Sequence, residues 1–361
     1  MSSDTTLASC TPSRSGDIDA DATRRRFLQL IATAGLVAGC AGNGPPAPPT
    51  PTGPATRTVT TPRGPVEIPT EPARVVALFT HDTANALVLG LPLIAGAGER
   101  GFAAAPFPAY VVDAFPQVKS LTRIESQPEV NIEQLAALRP DVIIAGVFGS
   151  DTSDAIAPYG ALEEVAPVVT YEYSRGADFR NVPWREVLRV NGAQFDRSRA
   201  AEEWIARFDT EAAALRERLR ADWAGRRWAF VEPYASGFLL FGPTSGHAPV
   251  TLTDELGLTP APAVDTLLGE ADGLVRGRAE ISYERLGVLD ADVVFVLLGA
   301  GESGDTDRSG VQVLEAQPLW RSLPAVENGH VVELTSDIFG ESALGATAFL
   351  DVVERALLGD G

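Results

Sequence analysis

Asn131-Ile-Glu133-Gln-Leu135-Ala-Ala-Leu138-Arg-Pro-Asp141-Val142-Ile-Ile144 returns 151 residues later as Ser282-Tyr-Glu284-Arg-Leu286-Gly-Val-Leu289-Asp-Ala-Asp292-Val293-Val-Phe295. The capping residue, the Glu, both Leu, the Asp and the Val coincide, so the chain reads as two pseudo-repeated halves. In each copy Asn131 or Ser282 caps a helix whose two Leu, three residues apart, face a sheet. Asp141 or Asp292 then ends the turn into a buried strand. Glu133 and Glu284 occupy the first helical turn, where the helix dipole stabilises an acid by about 0.3–1 kcal/mol. The same placement puts them at the carboxyl edge of a wound sheet, where ligand clefts lie. Either role fits the residue type.

Working outward, strand and helix alternate on both sides of the unit. Val75-Val76-Ala77-Leu78, Leu93–Gly96, Val142–Ala145 and Val168–Thr170 are continuous apolar runs separated by helical stretches, the pattern of a parallel sheet covered on both faces. Residues 183–219 are helical, with a break at Asn191-Gly192 and a restart near Asp196. Trp204, Phe208, Ala212, Leu215 and Leu219 form the apolar stripe of that rod. A second alternation follows: Trp228–Val231, a helix near Thr253–Leu256, Val293–Leu298, a helix over 311–319, Val331–Glu333 and a closing helix Ala343–Leu358. The expected fold is two doubly wound α/β lobes joined by one long helix, with a ligand cleft between them. The divisions are 57–182 for the first lobe, 183–222 for the helical segment and 223–361 for the second lobe.

The N-terminal residues decide location. Thr23-Arg24-Arg25-Arg26-Phe27-Leu28 resembles the twin-arginine export signal, and Val37-Ala38-Gly39-Cys40 resembles a lipobox. The apolar run Phe27–Gly39 is too short for a spanning helix, which needs roughly 20 residues. Residues 1–40 therefore read as a leader cleaved before Cys40, with acyl chains on that sulfur holding the protein to the outer face of the cytoplasmic membrane. Residues 41–56, AGNGPPAPPTPTGPAT, form a Pro-rich tether, and a small hairpin around Pro62-Arg63-Gly64 follows. Of the two cysteines, Cys10 lies in the leader and Cys40 is the anchor, so no disulfide framework is available.

The formal charge of −19 survives removal of the leader, which holds four acids and four bases, and it disfavours nucleic acid or bare anionic lipid as partners. Only His81, His247 and His330 are present, far apart and without ligand spacing, which argues against a bare metal-ion site. Gly299-Ala-Gly301-Glu-Ser303-Gly304 faintly resembles a glycine-rich or nucleophile loop, but Asp305, Asp307 and Arg308 follow it instead of a helix. An exported enzyme is thus the weaker class.

Further motifs agree in order: Ile68-Pro69 with Pro72-Ala73-Arg74-Val75-Val76, and Pro318-Leu319-Trp320-Arg321-Ser322-Leu323-Pro324-Ala325-Val326 with Asn328-Gly329-His330-Val331. With the lipobox and the repeat, they make residues 57–358 resemble the substrate-binding lipoproteins of iron–siderophore and cobalamin ABC importers, the class with a rigid single-helix hinge. The resemblance implies a monomer that binds a small-molecule iron chelate, holds no cofactor of its own, and delivers the ligand to a permease and its ATPase. Glu133 and Glu284 match the family's two acids that dock into arginine pockets of the permease. A ferric siderophore of the hydroxamate type is the expected ligand, and cobalamin or haem fits the same fold. Arg123 approximates the place where hydroxamate binders put a ligand arginine, although Glu125–Val130 shifts the alignment. Arg276 and Arg278 stand in the loop before Ser282, opposite it. Phe148, Tyr234 and Phe339 follow strands at the cleft edge and are candidate aromatic walls, and His81 follows the first strand. Each of these residues also fits a plain packing or surface role. Tyr171 and Tyr173 read as hinge packing, and Trp320 as core.

Overall fold

The apolar runs fold as strands because each is buried on both faces. In the computed structural model, which describes residues 55–97, 107–124, 130–148, 158–176, 180–270, 277–300, 306–335, 338 and 342–359, they build two sheets. A hairpin of β1 (Thr56–Thr61) and β2 (Gly64–Pro69) opens the body, turning at Gly64, whose φ of 117° suits only glycine.

The first sheet contains β3 (Val75–Ala77), β4 (Leu93–Ala97), β5 (Thr122–Ile124), β6 (Val142–Val147) and β7 (Val168–Glu172). All are parallel, in the order β5-β4-β3-β6-β7. Helices α1 (Thr80–Val88), α2 (Ala109–Ala114), α3 (Ile132–Leu138) and α4 (Tyr159–Val165) lie in the connections.

Two helices lead out of this lobe, α5 (Trp184–Gln194) and α6 (Ser198–Leu219), parted where Asp196 takes a left-handed φ of 54°. At 22 residues, α6 is about 33 Å long. Its buried stripe is Ala201, Ile205, Phe208, Ala212, Leu215 and Leu219. Trp204, expected in that stripe, is half-exposed and stacks on Phe115 at 6.2 Å, one helical step off the buried face.

The second sheet differs from the first. Its strands are β8 (Arg227–Tyr234), β9 (Gly237–Phe241), β10 (Thr259–Pro260), β11 (Arg278–Ser282), β12 (Val293–Leu297) and β13 (Val331–Leu334), in the order β11-β9-β8-β12-β13 with β10 beside the start of β8. The β8-β12-β13 half is parallel, as the repeat requires, but β8, β9 and β11 form an antiparallel meander. Helices α7 (Pro262–Glu270), α8 (Ser309–Glu315) and α9 (Ala343–Leu358) complete the lobe. The helix expected near Thr253–Leu256 is present as an α-helical turn, His247–Val250, running directly into a π-helical turn, Thr251–Glu255, whereas the repeat's second helix is a 3₁₀ turn, Tyr283–Val288.

The repeated aspartates latch strands. Asp141 Oδ2 accepts the backbone N–H groups of Ala73 and Arg74 at 2.7 and 2.9 Å, and Asp292 Oδ2 accepts that of Arg227 at 2.8 Å. Each thus fixes the entry of its lobe's first strand beside the strand that follows the aspartate.

One apolar cluster runs through both lobes. It joins Val75, Val142 and Ile144 of the first sheet to Trp228, Phe230 and Phe295 of the second, through Trp184, Phe208 and Leu215 of the helical segment and Phe349 of α9. Separate clusters fill the other face of each sheet. Ser342 caps α9, and the Asn85 side-chain oxygen on α1 accepts the Ala343 N–H at 3.4 Å. A shared core of this kind resists hinge opening, because separating the lobes would expose it to water.

Helix α8 reaches the carboxyl end of β8 only because Gly310 lacks a side chain: a Cβ there would overlap the Pro233 carbonyl. Gly310→Ala is expected to destabilise the protein by about 1–3 kcal/mol. A lowered urea midpoint checks this, and an unchanged midpoint would mean α8 shifts freely.

Candidate functional site

In the first lobe the chain winds from β3 outward through β4 to β5, then returns to add β6 and β7 on the other side. The winding therefore reverses between β3 and β6, and ligands of open α/β sheets bind beyond the strand ends at such a point. His81 follows β3, Phe148 follows β6 and Tyr173 follows β7. The structure brings all three together. The His81 ring stacks on Tyr173 at 3.9 Å, Phe148 meets Tyr173 at 4.9 Å and His81 edge-on at 6.1 Å, and Phe79 closes the group at 5.3 Å from Phe148. Gly146 is the floor, since a Cβ there would press on Tyr173, His81 and Tyr171.

Beneath this wall lies Asp82, fully buried in the first turn of α1. Its Oδ2 accepts the Phe79 N–H at 3.0 Å, the Tyr171 hydroxyl donates to Oδ1, and His81 Nε2 is 3.5 Å from Oδ1. Burial pushes the Asp82 carboxyl up to about 7, against the opposing hydrogen bonds. Burial and the adjacent Asp82 also hold Tyr171 well above the ordinary phenol range.

The second lobe has its own reversal, between β8 and β12. Tyr234 ends β8, half-exposed, and its backbone carbonyl accepts the Tyr283 hydroxyl at 2.6 Å. Side chains alternate along β8: Ala229 and Val231 are buried against the outer helices, while Phe230, Glu232 and Tyr234 share the other face. On that face Phe230 and Phe241 enter the core shared by the lobes, and Leu239 lies at its margin with Phe148 and Ile338. Past this margin the face turns polar. Arg278 on β11 holds its guanidinium 5.0 Å from the Phe241 ring centre and 3.5 Å from Glu232. Burial raises the Glu232 carboxyl above its ordinary range, opposed by the Arg278 charge.

The two repeated glutamates sit at the same edges. Asn131 Oδ1 caps α3 by accepting the Gln134 N–H at 2.9 Å, and Ser282 Oγ accepts the Glu284 N–H at 3.3 Å. Because β11 runs parallel to β8, Ser282 ends at the level of Tyr234. Glu133 and Glu284 are both exposed, and neither is ion-paired to another described residue.

Residues 75–338 match the family described as periplasmic binding protein. The chain belongs to that family. Among curated relatives of this binding protein, the probable siderophore-binding lipoprotein YfiY of Bacillus subtilis is 26% identical over 295 residues, covering 81% of this chain and 84% of that one. The iron(3+)-hydroxamate-binding protein FhuD of the same organism is 26% identical over 274 residues, covering 75% and 76%. Among solved structures, Staphylococcus aureus SirA complexed with staphyloferrin B shares the fold at a TM-score of 0.64 and 19% identity, over 84% of this chain and 99% of that one. The siderophore periplasmic binding protein from the fuscachelin gene cluster of Thermobifida fusca matches at 0.59 and 26% identity, over 81% and 99%.

Within this binding protein the predicted site residues divide. His81, Phe148 and Tyr234 stand at the two reversal points. Arg123 lies on edge strand β5, two strands from the first reversal, where its backbone carbonyl accepts from the Gln134 side chain at 3.2 Å. Arg278, expected in a loop, is the first residue of β11, because Arg278-Ala-Glu-Ile-Ser alternates as a half-buried edge strand. Arg276, Phe339, Cys40, Arg24 and Arg25 lie outside the described residues. Tyr173, read as hinge packing, belongs to the wall, and Asp82 was not anticipated. Trp320 is core, as expected. Among the described residues no group of three or more His, Cys, Asp and Glu side chains gathers as a metal-ion site, and no helix is long and apolar enough to cross a membrane.

Proposed function

We propose that this chain is the extracytoplasmic binding component of an ABC importer that takes up a ferric siderophore of the hydroxamate type. The observation that carries the reading is the pair of winding reversals, each ending in aromatic side chains: His81, Phe148 and Tyr173 in one lobe, Tyr234 in the other. Membership of the binding-protein family and relatives named for siderophore and iron(3+)-hydroxamate binding support the same ligand class. A chelated ferric ion presents a bulky, partly apolar surface, which suits aromatic walls better than a ligand set for bare metal. The chelate is held and released without chemical conversion.

Glu133 and Glu284 dock the loaded protein onto arginines of the permease, each a directional charge-assisted pair, and the associated ATPase drives transfer. Residues 1–40 act as the export leader, Cys40 as the lipid anchor, and 41–56 as the tether that raises the effective concentration of a monomeric domain beside its permease.

Titration with a ferric tris-hydroxamate, followed by quenching of intrinsic fluorescence, should saturate at one ligand per chain, with the chelate recovered unchanged. Saturation by cobalamin or haem with no response to ferric chelates would redirect the assignment within the fold. Turnover of the chelate would overturn the binding-only reading.

A further inference from the structure

Basic side chains in a chelate-binding wall ordinarily select anionic ligands, and among the described residues Arg278 is the basic residue on the polar face of the second sheet. Its surroundings oppose that role. The guanidinium lies between the Phe241 ring at 5.0 Å and the Glu232 carboxylate at 3.5 Å. Both partners of the ion pair are largely shielded, with side-chain exposures of 19% for Arg278 and 30% for Glu232. Glu280 follows on the same face of β11, close enough to raise the Tyr234 hydroxyl together with that residue's burial. Among the described residues, two carboxylates therefore accompany one guanidinium between Phe241 and Tyr234. In the first lobe the ring cluster holds His81 and the buried Asp82, while Arg123 stands two strands from the reversal. An anionic chelate entering here would have to displace Glu232 from Arg278 and leave a shielded carboxylate without its cation, which is strongly unfavourable.

We infer that Glu232 is a specificity-determining residue: by occupying Arg278 it makes the site reject anionic ferric chelates and accept neutral or cationic ones. The inference rests on the ferric-siderophore reading above and gives it a charge class. Three hydroxamates neutralise a ferric ion, whereas three catecholates leave a trianionic complex. The filter therefore separates these two ligand chemistries on charge alone, and a negative element of this kind is how a site can exclude a near-isosteric competitor.

The test uses the purified lipid-free protein and three probes of similar size: a neutral ferric tris-hydroxamate, a monocationic one and a trianionic ferric tris-catecholate. The unmodified protein should bind the first two at least about tenfold more tightly than the third. Glu232→Gln should raise affinity for the trianionic chelate relative to the neutral one by about tenfold or more. Arg278→Gln supplies the opposite arm, weakening the trianionic chelate further, and circular dichroism confirms folding of both variants. Equal affinity for all three probes in the unmodified protein, or an unchanged neutral-to-anionic ratio in Glu232→Gln, overturns the filter and leaves the importer reading standing. Failure of every ferric probe to bind the unmodified protein overturns the ferric-siderophore reading itself.

Discussion

Replacing Glu133 and Glu284 together by alanine should leave ferric-chelate affinity within about twofold and reduce cellular uptake by at least about tenfold. The separation follows from where the two carboxylates stand. Each occupies the first turn after a strand end, exposed, with no ion pair to another described residue. Neither is part of the aromatic group at the first reversal or of the Arg278–Glu232 pair at the second. As plain first-turn acids they would contribute only about 0.3–1 kcal/mol each to their helical turns. Their removal would then go unnoticed in transport. As docking groups facing arginines, truncating either leaves a buried permease cation without its partner, a loss of about 2–5 kcal/mol per pair. Single variants should show intermediate uptake, and charge-reversed arginines in the permease should restore Glu→Arg variants in part. Wild-type uptake by the double variant returns both residues to the helix-dipole role. Loss of chelate binding would instead place them in the ligand site.

Why these two residues are readable in the sequence, and the acid beneath the aromatic wall is not, is a matter of range. The repeat is local: cap, two leucines, aspartate and strand fall within fourteen residues, so its strands appear as β6 and β12 where the offset puts them. Burial on both faces makes such strands continuous apolar runs, and the restart near Asp196 shows as a residue tolerant of the left-handed region. Asp82 offers no such signal. In Thr80-His81-Asp82-Thr83 it resembles any exposed first-turn acid, and its burial depends on Tyr171, 89 positions away, and on Gly146 admitting three rings. Tyr173 stands just before the helical segment in sequence, which suggests hinge packing, whereas its backbone N–H donates to the Val147 carbonyl at 2.8 Å and so places it beside β6. The meander of the second sheet was legible in principle, because Arg278–Ser282 alternates with period two. The repeated unit itself signals only the parallel pattern, because its cap, helical turn and strand recur in both halves while the meander lies outside it.

Asp82→Asn should abolish a fall in stability that the unmodified protein undergoes between about pH 4 and pH 7. The carboxyl is raised from 3.8 to about 7 by burial in the folded protein. Below pH 3.8 both folded and unfolded chains hold its proton, so the group places no burden on folding. Between 3.8 and about 7 only the folded chain holds it, folding takes up a proton, and stability declines as pH rises. Above about 7 both states are ionised and the full deficit remains, at most about 4 kcal/mol from a shift of this size. Asparagine cannot ionise. Its side-chain oxygen can still accept the Phe79 N–H, and the Tyr171 hydroxyl can rotate to accept from the new amide. Other shifted groups, Glu232 and Asp351 among them, contribute their own slopes. The measurement is therefore the difference in urea midpoint between variant and unmodified protein at pH 4.5, near the lower end of the window, and at pH 8, above it. The variant should gain relative stability at the higher pH. Tyr171→Phe should act in the opposite sense, because removing the hydroxyl donor takes away an interaction that lowers the Asp82 value and so extends the window upward. Parallel stability curves for all three proteins would mean that Asp82 is not held protonated beneath the His81 and Tyr173 rings. The wall at the first winding reversal would then rest on ring packing over Gly146 alone.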